Sequence, residues 1–325
     1  MTPIIKVLTT QLWGYDGNMS NIALPSVQSM RISGRTLVLL AFALFAALYA
    51  ANYPLVNAEN WRTFLGPDAD SPYRYRVLTS SVILAGTALM GGPNAVTIYL
   101  VSIIGQIAGS ILLVFAADAW LRRRHRNDHA LLGVGLLILP MALMSRYPVL
   151  NPYSLVEAAL FCIGALLITE RRQWALWLVI ALAVLNRETG VFLFLLWVLI
   201  ERHRWRERSY WIWGALYTAT FITIYGGLRF VLGPAPDAIT VAMVLYRNLR
   251  DVHIWLPLVL LYMPFVILAI LGAKRFSHGG AFLLVAGAYL ALACVFGLLH
   301  ETRLFLTPLA LTMPLIVQSI RISSR

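Results

Sequence analysis

The sequence predicts an all-α, polytopic transmembrane bundle of about ten helices, some of them short or re-entrant. Three observations predict it. Of the 325 residues, 60% are apolar and only 12% are charged, about half the ~25% of an ordinary soluble domain. The apolar residues run in continuous blocks, whereas a closed β-barrel needs alternation. The 26 Lys and Arg against 14 Asp and Glu give a formal charge of +12, and most of the basic residues fall between the blocks. A soluble protein this apolar would expose large greasy patches. Soluble enzymes, disordered chains and secreted disulfide scaffolds are therefore excluded.

A helix needs about 20 apolar residues to cross the hydrocarbon core. Residues 1–35 read as a cytoplasmic lead-in with an interfacial helix at Ile4–Trp13, and this stretch is too long for the leader of a cleaved signal peptide. Residues 36–325 read as one transmembrane domain. Full-length spans are expected at Leu37–Val56, Asn94–Ala117, Tyr210–Leu232, Ile254–Ala273 and Gly279–Leu299. Shorter ones are expected at Ala130–Ser145, Leu155–Thr169, Trp174–Leu185, Val191–Ile200 and Leu304–Ile320. The segment 57–93 forms an outer-face loop followed by a helix, Tyr73–Met90, that lies on or dips into the outer face. Gly91-Gly92-Pro93-Asn94 then breaks the chain.

Orientation follows from the basic residues. With both termini cytoplasmic, 17 of the 26 Lys and Arg lie on the inner side with six acids, giving +11. The outer side keeps nine bases and eight acids, giving +1. Topology thus accounts for the charge, and no nucleic-acid partner is expected. The short basic inner loops fit contact with lipid headgroups. Cys162 and Cys294 lie in apolar runs, so neither a disulfide nor a zinc site is expected. His125 and His129 sit at i, i+4 inside an arginine run (Arg122, Arg123, Arg124 and Arg126), which reads as a cationic loop.

The outer segments mix acids and bases, so sorting orientation is not their role. Trp174–Leu185 and Val191–Ile200 would rise only about 18 and 15 Å, against a core of about 30 Å. The tip between them, Asn186-Arg187-Glu188-Thr189-Gly190, therefore stops within the membrane. Ionised groups there cost several kcal/mol unless paired or wetted, which implies a water-filled cavity open to the outer face. Glu157, Glu301 and Arg303 point to the same cavity.

The first outer loop holds three carboxylates, Glu59, Asp68 and Asp70, each able to act as a general base once partly desolvated. Arg74 and Arg76, with Tyr75 between them, could hold a phosphate by forked hydrogen bonds. Pro72-Tyr73-Arg74-Tyr75-Arg76-Val77-Leu78, Asn186-Arg187-Glu188-Thr189-Gly190 and Glu301-Thr302-Arg303 together resemble the GT-C-type membrane glycosyltransferases. The resemblance runs from about Leu37 to Ile320. It implies a multi-pass enzyme of the bacterial inner membrane, and inverting transfer of a sugar from a polyprenyl-phosphate donor to an extracytoplasmic acceptor. It further implies a catalytic acid in the first outer loop: Asp70, or else Asp68 or Glu59. Arg74, Tyr75, Arg76, Arg187, Glu188, His300, Glu301 and Arg303 would bind the donor. Many members carry a crisper paired-acid motif than Asp68-Ala69-Asp70, and this chain has no large soluble C-terminal domain. No cofactor is expected; Asp68 and Asp70 could hold a divalent ion, but no full ligand set is visible. On this reading Asp70→Asn and Arg76→Ala each abolish transfer and leave the protein folded. The alternatives are a transporter or flippase of a lipid-linked or anionic substrate, and a non-catalytic membrane subunit.

Overall fold

The computed structural model describes residues 33–50, 62, 64–65, 69, 73–142, 151–233, 241–250, 252–296 and 302–323. The chain forms two compact units, Met1–Leu37 and Val38–Arg325. In the first, only residues 33–37 are described. There the Ser33 hydroxyl accepts from the Thr36 N–H at 3.1 Å, an N-cap that satisfies one orphan donor of the first helix. The expected helix at Ile4–Trp13 lies outside the described residues.

Among the described residues there are twelve α-helices and no strand. They are α1 (Gly34–Ala50), α2 (Val77–Leu89), α3 (Ala95–Arg122), α4 (Asn127–Ala142), α5 (Asn151–Thr169) and α6 (Gln173–Asn186). After them come α7 (Val191–Glu201), α8 (Arg208–Leu232), α9 (Val241–Arg250), α10 (Val252–Ala273), α11 (Gly279–Phe296) and α12 (Leu306–Ser323). Ten of them match the expected spans within a few residues, and the expected ends at residues 51–56, 143–145 and 297–299 lie outside the described residues. Stretches within five (α3, α5, α8, α11 and residues 303–320) are long and apolar enough to cross a membrane. Large apolar side chains are exposed on α8 and α10, including Ile222, Phe230, Leu260 and Ile267. An all-α, multi-pass membrane protein follows.

α5 and α12 are the buried axis. Gly105 and Gly109 let α3 come close to Pro152 and Leu155 at the start of α5. α12 packs against α5, α4, α10 and α11. α10 comes so near that a Cβ on Gly272 would lie 1.8 Å from the Leu315 carbonyl oxygen. Gly272→Ala is therefore expected to cost at least the upper part of the ~1–3 kcal/mol typical of overpacking. A lowered melting midpoint of the detergent-purified protein would report it. Gly280→Ala, where an added Cβ meets nothing within 4 Å, is expected to leave the midpoint unchanged.

The basic turns meet at one end of the bundle. Arg123 and Arg172 pair with Glu170 at 2.8 and 3.0 Å. Arg171 and Arg204 pair with Glu201 at 3.6 and 3.0 Å, and Arg204 also pairs with Glu207 at 2.6 Å. The bonded Arg204 guanidinium holds the Glu207 carboxyl below the usual carboxylate range. His125 ties this end to α12 through the Pro314 carbonyl at 3.0 Å. Trp174, Trp205 and Trp211 are exposed around it, as an interfacial belt requires.

The opposite end is stepped. α6 and α7 rise only about 21 and 16 Å from the basic end. α3, with 28 residues, is about 42 Å long. Asn151, the first residue of α5, donates to Gln106 at 3.3 Å, so α3 extends about 16 Å beyond the start of α5. That extension pairs with α2, whose Gly86 abuts Val101. Gly91 and Gly92, both at positive φ, turn the chain between them, and the Asn94–Thr97 capping box starts α3. The expected outer-face helix is thus a hairpin arm running along α3.

α9 falls where only a loop is expected. Val244 and Asn248 are its buried seam, with Asn248 Nδ2 donating to the Cys294 carbonyl at 2.9 Å.

Candidate functional site

The tip of the α6–α7 hairpin sits at the step, below the α2–α3 arm. α6 ends because Arg187 turns extended (φ −165°, ψ 141°), its N–H still bonded to the Ala183 carbonyl at 2.8 Å. A 3₁₀ turn, Glu188–Gly190, leads into α7. It folds so tightly onto α6 that a Cβ on Gly190 would lie 2.6 Å from the Ala183 carbonyl carbon and the Val184 nitrogen. Only glycine leaves that space. The break sends Arg187 toward α5 and Glu188 toward the segment before α2.

Glu157, on α5, is 1% exposed. It accepts from Arg187 Nη1 at 2.8 Å, from the Tyr289 hydroxyl at 3.0 Å and from the Thr189 hydroxyl. Arg187 Nη1 also reaches the Tyr289 oxygen at 3.5 Å. Arg187 is 5% exposed. Two charges so far from water persist only because each meets the other and further polar atoms.

Glu188 pairs with Arg76, 2.8 Å from Oε1 to Nη2. Arg76 is buried, whereas the Glu188 side chain stays 32% accessible. Tyr73 joins the next cation. The Arg76 guanidinium stacks 4.8 Å from its ring centroid, and Arg303 Nη2 donates to its hydroxyl at 3.3 Å. Asn186 fastens the floor, donating to the Tyr153 carbonyl at 2.9 Å and accepting from the Thr79 hydroxyl.

The described centre thus holds three guanidiniums, Arg76, Arg187 and Arg303, and two carboxylates, Glu157 and Glu188. Buried guanidinium N–H groups of Arg76 (Nη1) and Arg187 (Nε) without a protein acceptor among the described residues suit an anionic ester such as a phosphate.

Of the expected site residues, Arg76, Arg187, Glu188 and Arg303 come together here. Arg74 is half-buried on the neighbouring 3₁₀ turn. Tyr75 turns away: its hydroxyl donates to the Gly233 carbonyl at 2.9 Å and Arg229 stacks on its ring at 4.5 Å. Glu59, Asp68, Asp70, His300 and Glu301 lie outside the described residues. The described part of the acidic loop packs at this end. Leu65 and Ala69 are buried, Phe64 meets Tyr73 edge-on at 5.0 Å, and the Tyr153 hydroxyl donates to the Phe64 carbonyl at 3.3 Å.

Sequence reasoning missed Tyr73 and Tyr289 as members of the centre and did not pair Glu157 with Arg187. Glu157 had a signal, a carboxylate in an apolar helix. Tyr289 had none, being an aromatic residue inside an ordinary apolar span. Among the described residues, no group of three or more His, Cys, Asp or Glu is placed to hold a metal ion. Comparison with known proteins finds no matching family model, no similar curated protein and no similar solved structure.

Proposed function

We propose that the protein is a membrane glycosyltransferase of GT-C type, acting at the extracytoplasmic face on a polyprenyl-phosphate-linked sugar. The observation that carries this reading is the convergence of Arg76–Glu188, Arg187–Glu157 and Arg303–Tyr73 at one end of the bundle, with Arg76 Nη1 and Arg187 Nε left without a protein acceptor among the described residues. The opposite end holds the arginine-rich turns, so by the charge rule the site end faces away from the cytoplasm. Localisation in a bacterial inner membrane belongs to the same proposal.

The chemistry is inverting displacement. A loop carboxylate, Asp70 or else Asp68 or Glu59, takes the proton of an acceptor hydroxyl. The freed oxygen attacks the anomeric carbon as the bond from that carbon to the phosphate oxygen breaks. The bonding pair leaves with the polyprenyl phosphate. Arg76 and Arg303, with Arg187 behind them, stabilise the charge that builds on the departing group. Glu188 holds Arg76 in place until donor arrives. No metal enters the scheme.

Proteoliposomes containing the purified protein and radiolabelled polyprenyl-phosphate sugars test this directly. Transfer of label to an added acceptor or to water, with release of polyprenyl phosphate, is expected. Tight lipid-phosphate binding without any release would instead make the chain a carrier or binding subunit.

A further inference from the structure

Away from the charged centre, an apolar groove of about 370 Å³ opens between α10, α11 and the start of α12. No charged residue lines it, and Val259, Met263 and Ile270 are exposed at its rim, so it faces the hydrocarbon. Along α10 the lining recurs at Val259, Met263, Val266 and Ile270, the i, i+3, i+4 spacing of one helix face. The next position on that face is Lys274, one residue past the end of α10. The groove therefore begins about 6 Å above Lys274 and runs about 16 Å further, at 1.5 Å per residue. On α11 the lining at Gly287 and Leu283 leads down to Gly280, which is exposed and where a Cβ would meet nothing within 4 Å. The foot of the groove is thus open beside the α10–α11 turn, at the basic end of the bundle.

That turn carries positive charge that nothing nearby offsets. Lys274 and Arg275 are exposed on it. Arg124, from the α3–α4 turn, lies 5.6 Å from the Phe276 ring centroid. Partial burial, then the charges of Arg124 and His203, hold the His278 imidazole below its usual range. The acids of this end are engaged elsewhere: Asp118 with Arg122, Glu170 with Arg123 and Arg172, Glu201 and Glu207 with Arg204. Among the described residues no carboxylate pairs with Lys274, Arg275 or Arg124. The polar layer of a bilayer adds about 5–7 Å on each side of the ~30 Å core. Cations about 6 Å below the start of the groove stand at headgroup height, and about 16 Å of groove matches the ~15 Å depth of one leaflet's chains.

We propose that the groove and the α10–α11 turn bind one anionic phospholipid of the leaflet on the side of the arginine-rich turns. Its phosphate meets Lys274 and Arg275, with Arg124 adding charge, and one acyl chain rises along α10 from Ile270 towards Val259. The uncompensated cations select an anionic headgroup over a zwitterionic one, and the apolar lining takes the chain. The site is separate from the centre formed by Arg76, Arg187 and Arg303, and it does not depend on sugar transfer.

Native mass spectrometry of the detergent-released protein, titrated with phosphatidylglycerol and phosphatidylcholine of the same chain length, tests it. One phosphatidylglycerol should be retained per chain, at least tenfold more tightly than phosphatidylcholine. Lys274→Ala with Arg275→Ala should remove most of that preference. Arg206→Ala with Arg208→Ala, which removes two exposed cations of the α7–α8 turn, should keep it. Gly287 lines the groove and a Cβ there meets nothing within 4 Å, so Gly287→Phe should fill the groove and weaken both lipids. Dihexanoyl phosphatidylglycerol, too short to fill the groove, should bind the unmodified protein at least tenfold more weakly than the long-chain lipid. Equal binding of the two headgroups, or of the two chain lengths, would overturn the proposal. So would an unchanged preference after Lys274→Ala with Arg275→Ala, an equal loss after Arg206→Ala with Arg208→Ala, or one-for-one displacement by an equimolar polyprenyl phosphate. A melting curve of each variant shows that it is folded.

Discussion

Glu157→Ala should destabilise the bundle by about 3–5 kcal/mol, the usual cost of removing one partner of a buried ion pair. The loss leaves the Arg187 guanidinium buried with the Tyr289 hydroxyl alone, and strips Thr189 and Tyr289 of the carboxylate they donate to. Arg187→Ala should cost a similar amount for the opposite reason. The double variant Glu157→Leu with Arg187→Met should recover much of the loss, because two apolar side chains leave no buried charge behind. Thermal melts of the unmodified protein, Glu157→Leu, Arg187→Met and the double variant in one detergent measure the coupling. Simple additivity of the two single losses would show that the pair does not act as a unit.

Asp70→Asn and Arg76→Ala should each reduce sugar transfer by two or more orders of magnitude. A general base contributes about 10²–10⁴-fold, and one donor to a developing anion contributes about 10²–10³-fold. The two should differ in detail. Asp70→Asn should leave donor binding intact and lower only turnover. Arg76→Ala should weaken donor binding as well, because it removes a forked donor and frees Glu188 to repel phosphate. Arg76→Lys, which keeps the charge and loses the fork, should fall between. Transfer assays with donor titration separate these cases. Full activity in both variants would remove Asp70 and Arg76 from the mechanism.

Much of the architecture was legible because hydropathy and length are local properties. The short runs on either side of Asn186–Gly190 already implied a tip below the membrane surface, and α6 and α7 have the expected extents. Residues 73–76 show where local reading stops. In a 3₁₀ turn, side chains three apart fall on the same side. Tyr73 and Arg76 therefore share the centre, while Tyr75 faces Gly233 and Arg229. Grouping Arg74, Tyr75 and Arg76 together as donor-binding residues misses this. α9 was missed for another reason. Its leucines and arginines cancel in a hydropathy average, although Val244 and Asn248 at i, i+4 form a helical seam. The pairing of Glu157 with Arg187 joins α5 to the end of α6, 30 residues away, and no local pattern encodes it.

On the proposed function, the charged centre opens to the side away from the arginine-rich turns. Glu188 is the right reporter, because its side chain is about one-third accessible while Arg76 and Arg187 are buried. Glu188→Cys, with Cys162→Ala and Cys294→Ala to clear other thiols, can be treated with a membrane-impermeant maleimide in sealed vesicles of both orientations. Labelling is expected only when the extracytoplasmic face is outside, with protection by added polyprenyl phosphate. Labelling only from the cytoplasmic face would contradict it. So would a thiol silent in both orientations that reacts once the protein is denatured.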